Sequence, residues 1–488
     1  MFFTLVEKEL KGIILGPKFL ATFTVCTILI LLSVFLGVQD YNAAVKSYQA
    51  GMQLVEQEMQ EKTSWMSFST RIYRKPDPMQ VFISGVNNDV GRFSNVRSTE
   101  SIKLTNSVYT DDPIFAVFRF LDFSFIVQIV LSLFAILFTY DAINGERENG
   151  TLGLIFSNAV PQLKYILAKF IGSWLGLVIP ILLPILLGVL VVILFEIPFT
   201  PNHWLRFAAF LGVSLLYFTF FIALGIFISS VTKRSAVSFL FLLVFWVMFV
   251  LIIPRVGVMM AGKIYPVPSV AEIDGQIEGF SKSRWDQHIQ GMEEMWKERN
   301  AAMEGMTEEE RETYRDEHMW DWMQKSDATR KSVQTDINEF SRKVNEELRN
   351  KKAEQERLAF SLARFSPAAA YQLSAMNLAE TDIRLKSRFE HLLEEYHKSF
   401  VDYAEKKQEE NGSGGGIRIS LSSEDGMKME FGRDKGKLDV SGLPRFQASG
   451  RSMAQIIEPT VIDFGLLLVY TILALAGSFV AFFRYDVR

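Results

Sequence analysis

His391, Glu394, Glu395 and His397 are residue types that hold transition metals, and they crowd into one short stretch. On a helix of about 3.6 residues per turn, His391 and Glu395 share a face, but His397 lies about 120° round from His391. Neither His-Glu-x-x-His nor His-x-x-Glu-His is present, so the stretch reads as a solvated helix face. Met292, Met295, Met303, Met306, Met319 and Met323 could supply thioethers to Cu(I). They alternate with Trp296, Trp320 and Trp322 at helical spacing, which describes an adaptable helix–helix core rather than a metal site. A phosphate-cradling loop needs Gly-x-x-x-x-Gly-Lys-Ser/Thr; nothing here fits, and the Gly412 to Gly416 run lacks the lysine. Asp122, Asp141, Glu196 and Asp463 fall near the ends of apolar runs, so no proton relay is read from them. The sequence therefore offers no catalytic, cofactor-binding or metal site.

A different kind of work is implied by Asp141 to Pro161, a charged, glycine-punctuated hinge between two apolar runs. Glu146, Arg147 and Glu148 close the run before it, and Gly150 lets the chain turn. Thr151 is placed to cap a short helix whose apolar face is Leu152, Ile155 and Phe156. Such a helix lying across a membrane surface can press into a groove on a partner; the plain alternative is a polar loop tucked under its own bundle.

These residues need elements to hold them. The chain has 488 residues, is 49% hydrophobic and holds 41 Phe, yet its mean hydropathy is only +0.16, so it divides into greasy and wet parts. Spanning the hydrocarbon takes about 20 apolar residues. Runs of that kind lie near Phe19 to Val38, Leu121 to Tyr140, Phe170 to Phe195, Leu205 to Ser230, Val237 to Val258 and Val461 to Phe483, predicting six spanning helices. The first run exceeds a signal-peptide core of roughly 7–15 residues and reads as a retained anchor. Before it, Phe2, Phe3, Val6, Leu10, Ile13 and Ile14 recur at helical spacing, giving an interfacial helix that Pro17 ends. Pro180 and Pro184 remove backbone donors and predict a kink in the third span, a candidate gate or simply a fit to its neighbours.

Lys and Arg flanking membrane ends favour the cytoplasm. Lys8, Lys11, Lys18, Arg147, Lys164, Lys169, Lys233, Arg234, Arg484 and Arg488 share one side and place both termini there; Arg206, Arg255 and Lys263 are exceptions. The net charge of −4 sums over two compartments and says little, and the single cysteine, Cys26, excludes an intrachain disulfide. Two segments then face outward. In the first, Gln49 to Lys62 reads as helix, and Val81 to Val86 and Ile102 to Tyr109 as short strands. In the second, a helical region from Ser269 to Ala363 carries a capping-box pattern at Thr307 to Glu310 and a stripe of Val333, Ile337, Phe340, Val344 and Leu348 that wants a partner helix. A further helix is expected over Pro367 to Lys407. After Asn411 to Gly416, strands are expected at Ile417 to Leu421, Met427 to Phe431 and Lys437 to Val440.

The run Gly-Glu-Arg-Glu-Asn-Gly-Thr-Leu, followed by Ser157 to Pro161 and then Lys164, Leu167 and Lys169, resembles the coupling-helix region of ABC-2 type transporter permeases. The interfacial helix and six spans match the same family, so the resemblance covers the membrane half. Arg364 to Tyr371, Leu378 to Asp382 and Phe389 are similar to a subfamily with a large extracytoplasmic domain, inserted after the first and fifth spans and close in layout to gliding-motility ABC permeases.

The resemblance implies a membrane all-α fold of six transmembrane helices with a large α+β, mostly helical, extracytoplasmic domain. Its parts would be the interfacial helix and first span (1–38), a first extracytoplasmic segment (39–119), and spans two to five (120–260) with a coupling loop at 141–163. The large outer domain (261–458) and a last span with a cytoplasmic tail (459–488) complete it. It further implies a multi-pass protein of the bacterial inner membrane that binds no nucleic acid and has no cofactor of its own. ATP and Mg would be held by a separate nucleotide-binding ATPase, with Glu146, Arg147, Gly150, Thr151, Leu152, Ile155 and Phe156 as the contact. A second permease copy or a related permease, lipid, and an envelope protein at the outer domain are the other expected partners. The implied function is export driven by that ATPase. The alternative is a mechanotransmitter that moves envelope partners without cargo, and a membrane enzyme or passive receptor is a third class.

Overall fold

The computed structural model describes residues 2–61, 69–97, 104–105, 121–158, 160–410, 417–422, 426–431, 442–448 and 450–484. It resolves into two compact units, Met1–Ile252 with Arg364–Arg488, and Ile253–Ala363.

In the first unit, α1 (Phe2–Ile14) is the expected interfacial helix, and Pro17 opens α2 (Pro17–Glu61). Proline suits a first helical position, where its missing N–H costs nothing. α2 runs unbroken for 45 residues, about 68 Å, so the first span and the helix expected from Gln49 are one rod. A small antiparallel sheet follows, β1 (Ser69–Tyr73), β2 (Phe93–Arg97) and β3 (Leu104–Thr105), with Ser69 opposite Arg97 and Tyr73 opposite Phe93. The strand expected at Val81 to Val86 is absent: Pro78–Val81 form a 3₁₀ turn capped by Asp77, burying Met79, Val81, Phe82 and Ile83 together. Consecutive burial of this kind suits a tight turn, since a strand would send alternate side chains outward. Of the strand expected at Ile102 to Tyr109 only Leu104–Thr105 lies within the described residues.

The second span is α3, helical at Phe123–Phe125 and Ser132–Thr139 with π-helical turns at Ile126–Leu131 between. Then come α4 (Asn144–Glu148), α5 (Thr151–Ser157), α6 (Gln162–Leu194), α7 (Pro201–Val231) and α8 (Ser235–Trp246), the last continuing through π-helical turns at Val247–Ile252. Among the described residues six helices are long and apolar enough to cross a membrane: Pro17–Met59, Phe123–Glu148, Gln162–Leu194, Pro201–Val231, Ser235–Ile264 and Met453–Phe483. Each covers one of the six predicted spans.

The second unit comprises α9 (Ile253–Ile264), α10 (Val270–Ala302) and α11 (Glu308–Ala363). Gly305 adopts φ +92° in the turn between α10 and α11, and Glu310 accepts from the Thr307 amide and hydroxyl at the start of α11. The stripe finds its partner within the hairpin: Val333 and Ile337 are buried, and Phe340 stacks on Phe280 with centroids 4.0 Å apart. Met292, Met295, Met303 and Met306 are half-buried there, whereas Met319 and Met323 are exposed, so only part of the methionine run is core.

Back in the first unit, the helix expected over Pro367 to Lys407 is two helices, α12 (Pro367–Ala379) and α13 (Leu385–Glu410), divided where Glu380 takes φ +58°. α13 carries the small sheet, with Phe389, Leu393 and Phe400 packed against Ile72 and Val96. α12 instead joins the apolar core among the membrane helices. Its Tyr371 is fully buried, stacks on Tyr217 of α7 at 4.7 Å, and meets the Ser214 hydroxyl at 3.3 Å. The ring supplies apolar area and its hydroxyl keeps a polar partner. At 13 residues α12 is too short to span. β4 (Ile417–Ser422) and β5 (Gly426–Phe431) form the expected hairpin; Lys437 to Val440 lie outside the described residues. α14 (Met453–Phe483) is the last span. His391 and Glu395 approach to 3.6 Å on an exposed face of α13.

Candidate functional site

The elbow between α3 and α6 is shaped by one residue. Gly150 takes φ +70°, a left-handed conformation that costs a residue with a Cβ free energy. It stands at the N-cap of α5, so Thr151 is the first helical residue instead of the cap, and its hydroxyl donates to the Glu146 carbonyl at 3.1 Å. The sharp reversal folds α5 back under the spans. Leu152 is buried, Ile155 is half-buried, and Phe156 packs on Tyr165 of α6 and Phe482 of α14 at centroid distances of 5.3 and 6.1 Å. The apolar face identified in the sequence thus lies against the protein's own helices. The opposite face, Thr151, Gly153, Leu154 and Ser157, is exposed, and Leu154 is 66% accessible.

Glu146 is not a surface charge. One carboxylate oxygen accepts from Lys8 of α1 at 2.5 Å and Lys169 of α6 at 2.8 Å; the other accepts from the Tyr165 hydroxyl at 2.5 Å. Lys169, with 4% of its surface accessible, is shared with Glu9 of α1 at 2.8 Å. Two lysines and two glutamates therefore form a closed, charge-balanced knot joining α4, α1 and α6. Lone burial of any of these charges would cost several kcal/mol; together they satisfy one another. A second tie runs to the α7–α8 corner. Asn144 accepts from the Ser229 hydroxyl at 3.1 Å and donates to that of Thr232 at 3.0 Å, and Glu148 accepts from the Ser235 amide and hydroxyl. Arg147 is half-buried on α4.

Close approach of α1 to α6 depends on Gly172, where a Cβ would stand 2.5 Å from the Cβ of Glu9. Gly172→Val is expected to push α1 off α6 and lower stability by about 1–3 kcal/mol. Thermal unfolding in detergent, together with faster proteolysis around α1, is the measurement; unchanged values would show that the helices reseat freely.

Pro180 and Pro184 belong to the same α6 but lie deeper along it, and the structure does not bring them to the elbow. Pro184 is buried, and the surrounding turn, with Val178, Ile181 and Ile185, lines a hollow of about 70 Å³ closed by Leu131, Leu215 and Phe218.

At the far end of the bundle a second charged node holds Arg206 of α7. It donates to the Leu378 carbonyl at 2.7 Å and pairs with Asp77 at 3.2 Å and Glu380 at 3.3 Å. This explains Arg206 as an exception in the charge pattern: its partners neutralise it. Burial pushes Asp77 up, but the bond with His203, the Arg206 charge and the Met79 amide together hold it below the usual carboxylate range. Glu380 moves the other way because burial dominates, with Asp77 adding to it against the pull of Arg206. At the other end of α12, Asp463 of α14, fully buried, takes a two-pronged bond from Arg364 at 2.6 and 3.2 Å.

Lys8, Glu9, Tyr165 and Lys169 were missed as site residues. The available signal was Lys169, a charge several residues inside the helix that carries the third apolar run. Among the described residues no group of His, Cys, Asp and Glu is arranged to hold a metal ion.

A comparison with curated proteins returns no match. The sequence profile described as ABC-2 family transporter protein matches residues 3–381, which takes in α1, the elbow with its charged knot, five of the six spans and the buried helix α12. The chain belongs to the ABC-2 family of transporter membrane proteins.

Proposed function

We propose that the chain is the permease subunit of an ATP-driven exporter of the bacterial inner membrane, worked by a separate nucleotide-binding subunit that contacts the α4–α5 elbow from the cytoplasm. The observation that carries this reading is the two-sidedness of α5. Its inner face is pinned to α6 and α14, while its outer face offers Leu154 beside small residues that let a partner approach. Force applied to the outer face passes through Phe156 to the spans, and through Glu146 to α1 and α6 by the charged knot. ATP and Mg belong to the partner, whose closure on ATP binding would push the elbow and rearrange the spans around a second permease copy or a related one.

Leu154→Arg tests the reading. A central apolar anchor contributes at least about 2 kcal/mol to an interface, so the substitution is expected to cut co-purification of the ATPase subunit about thirtyfold while leaving the melting temperature unchanged. Undiminished co-purification would reject the elbow as the contact.

A mechanotransmitter is the second reading, favoured by the α10–α11 hairpin. α11 alone is 56 residues, about 84 Å of rigid helix, far longer than a lid over a cargo path needs. ATP-dependent movement of spin labels on α11 without flux into vesicles would favour it, with an envelope protein as the object moved.

A further inference from the structure

Between Lys18 and Asp40, α2 carries no charged residue, a rise of about 33 Å that matches one hydrocarbon thickness. Lys18 pairs with Asp141 beside the elbow, so Asp40 marks the opposite membrane surface. At that level α2 meets the sheet and the 3₁₀ turn, and a cleft of about 280 Å³ opens between them. Ala43 and Ala44 form its α2 wall, and Tyr48, Arg74, Asn88 and Arg92 converge on it.

The polar groups here are unevenly paired. Arg74 is fixed by Asn87, donating to its side-chain oxygen at 2.6 Å and its carbonyl at 2.8 Å, yet its buried Nε has no acceptor. The Arg92 guanidinium makes no hydrogen bond or ion pair among the described residues, with Asp40 as the nearby opposite charge. Two guanidiniums against one carboxylate leave the cleft cationic. Buried or half-buried guanidinium donors without acceptors are costly to hold and favour an anionic guest. Planar, fork-like donors suit the oxygens of a phosphate.

We propose that this cleft binds a phosphate group at the membrane surface, carried by a lipid headgroup or by a free solute. The site is independent of how the elbow is driven. The test uses the purified full-length chain in maltoside micelles, which contain no phosphate. Inorganic phosphate is titrated at constant ionic strength, and in parallel the micelles are doped with phosphatidylglycerol, with thermal unfolding as the readout. A rise in melting temperature with inorganic phosphate identifies a soluble ligand; a rise only with phosphatidylglycerol identifies the headgroup. In either arm Arg92→Ala is expected to weaken the apparent affinity about tenfold or more. Ala44→Trp, which fills the cleft and keeps both arginines, is expected to do the same and serves if the arginine variant fails to fold. No shift in either arm, or a shift that survives Ala44→Trp unchanged, overturns the proposal.

Discussion

Lys169→Met is expected to unfold the elbow end of the bundle before the rest, and to abolish ATP-driven work even where the ATPase subunit still binds. Lys169 is the only nearly fully buried cation of the knot, holding Glu146 and Glu9 at 2.8 Å each. Methionine fills a similar volume but leaves two carboxylates facing Lys8 alone, whose side chain is 52% accessible and screened by solvent. Removing one partner of a buried ion pair costs about 3–5 kcal/mol. The functional loss follows from position: α1 and α6 are joined to α4 by these bonds, so without them a push on α5 turns α5 alone. The double variant Lys169→Met with Glu9→Gln removes one charge of each sign and leaves Lys8 to neutralise Glu146. It is expected to recover most of the melting temperature, because the non-additivity of paired sites reports their contact. A single variant that melts like the unaltered chain would remove the knot as a structural element, and one that melts low but still transports would remove it as a transmission element.

The spans were legible because apolar runs of membrane length are dictated by the bilayer, whatever they pack against. The stripe from Val333 to Leu348 was legible for a similar reason, its period being that of one helix meeting another. The elbow was legible as a turn through Gly150, but its polarity was not. A face of Leu152, Ile155 and Phe156 reads as apolar whether it meets a partner or the chain's own α6 and α14, and only the aromatic contacts of Phe156 decide between them. The knot was invisible because its members are 138 and 23 residues apart. Lys8 and Lys169 counted equally with surface lysines in the charge pattern, though one is exposed and the other enclosed. α12 was misjudged because Pro367 to Lys407 keeps helical periodicity throughout, and nothing local marks the left-handed Glu380 that separates a buried helix from a half-exposed one.

That buried helix is where the second large effect is expected. Arg364 immediately precedes α12, and its guanidinium grips Asp463, which has no accessible surface and is the one charged residue on the buried face of α14. The same residue's carbonyl accepts from Tyr470 at 2.8 Å, and the next polar side chain, Ser366, both caps α12 and donates to the Phe249 carbonyl in the π-helical turns of α8. Turns of that kind leave carbonyls unpaired within the helix, so a hydroxyl from outside satisfies one. The entry to α12 is therefore fastened to α14 and α8 at three points, and Asp463 carries the only charge among them on the α14 side. Asp463→Ala should cost about 3–5 kcal/mol by leaving Arg364 half-buried and unpaired. Replacing both, Arg364→Met with Asp463→Leu, exchanges an ion pair for apolar contact of like size and is expected to restore stability to within about 1 kcal/mol. The two outcomes separate a purely static role from a larger one. If the apolar double variant is stable and fully active, the pair only holds α12 in place. If it is stable but inactive, the charges do more than hold α12 in place, since the apolar contact matches the strength of the pair at rest. Thermal unfolding paired with ATP-driven flux in vesicles distinguishes them, and equal destabilisation of the single and double variants would refute the pairing argument outright.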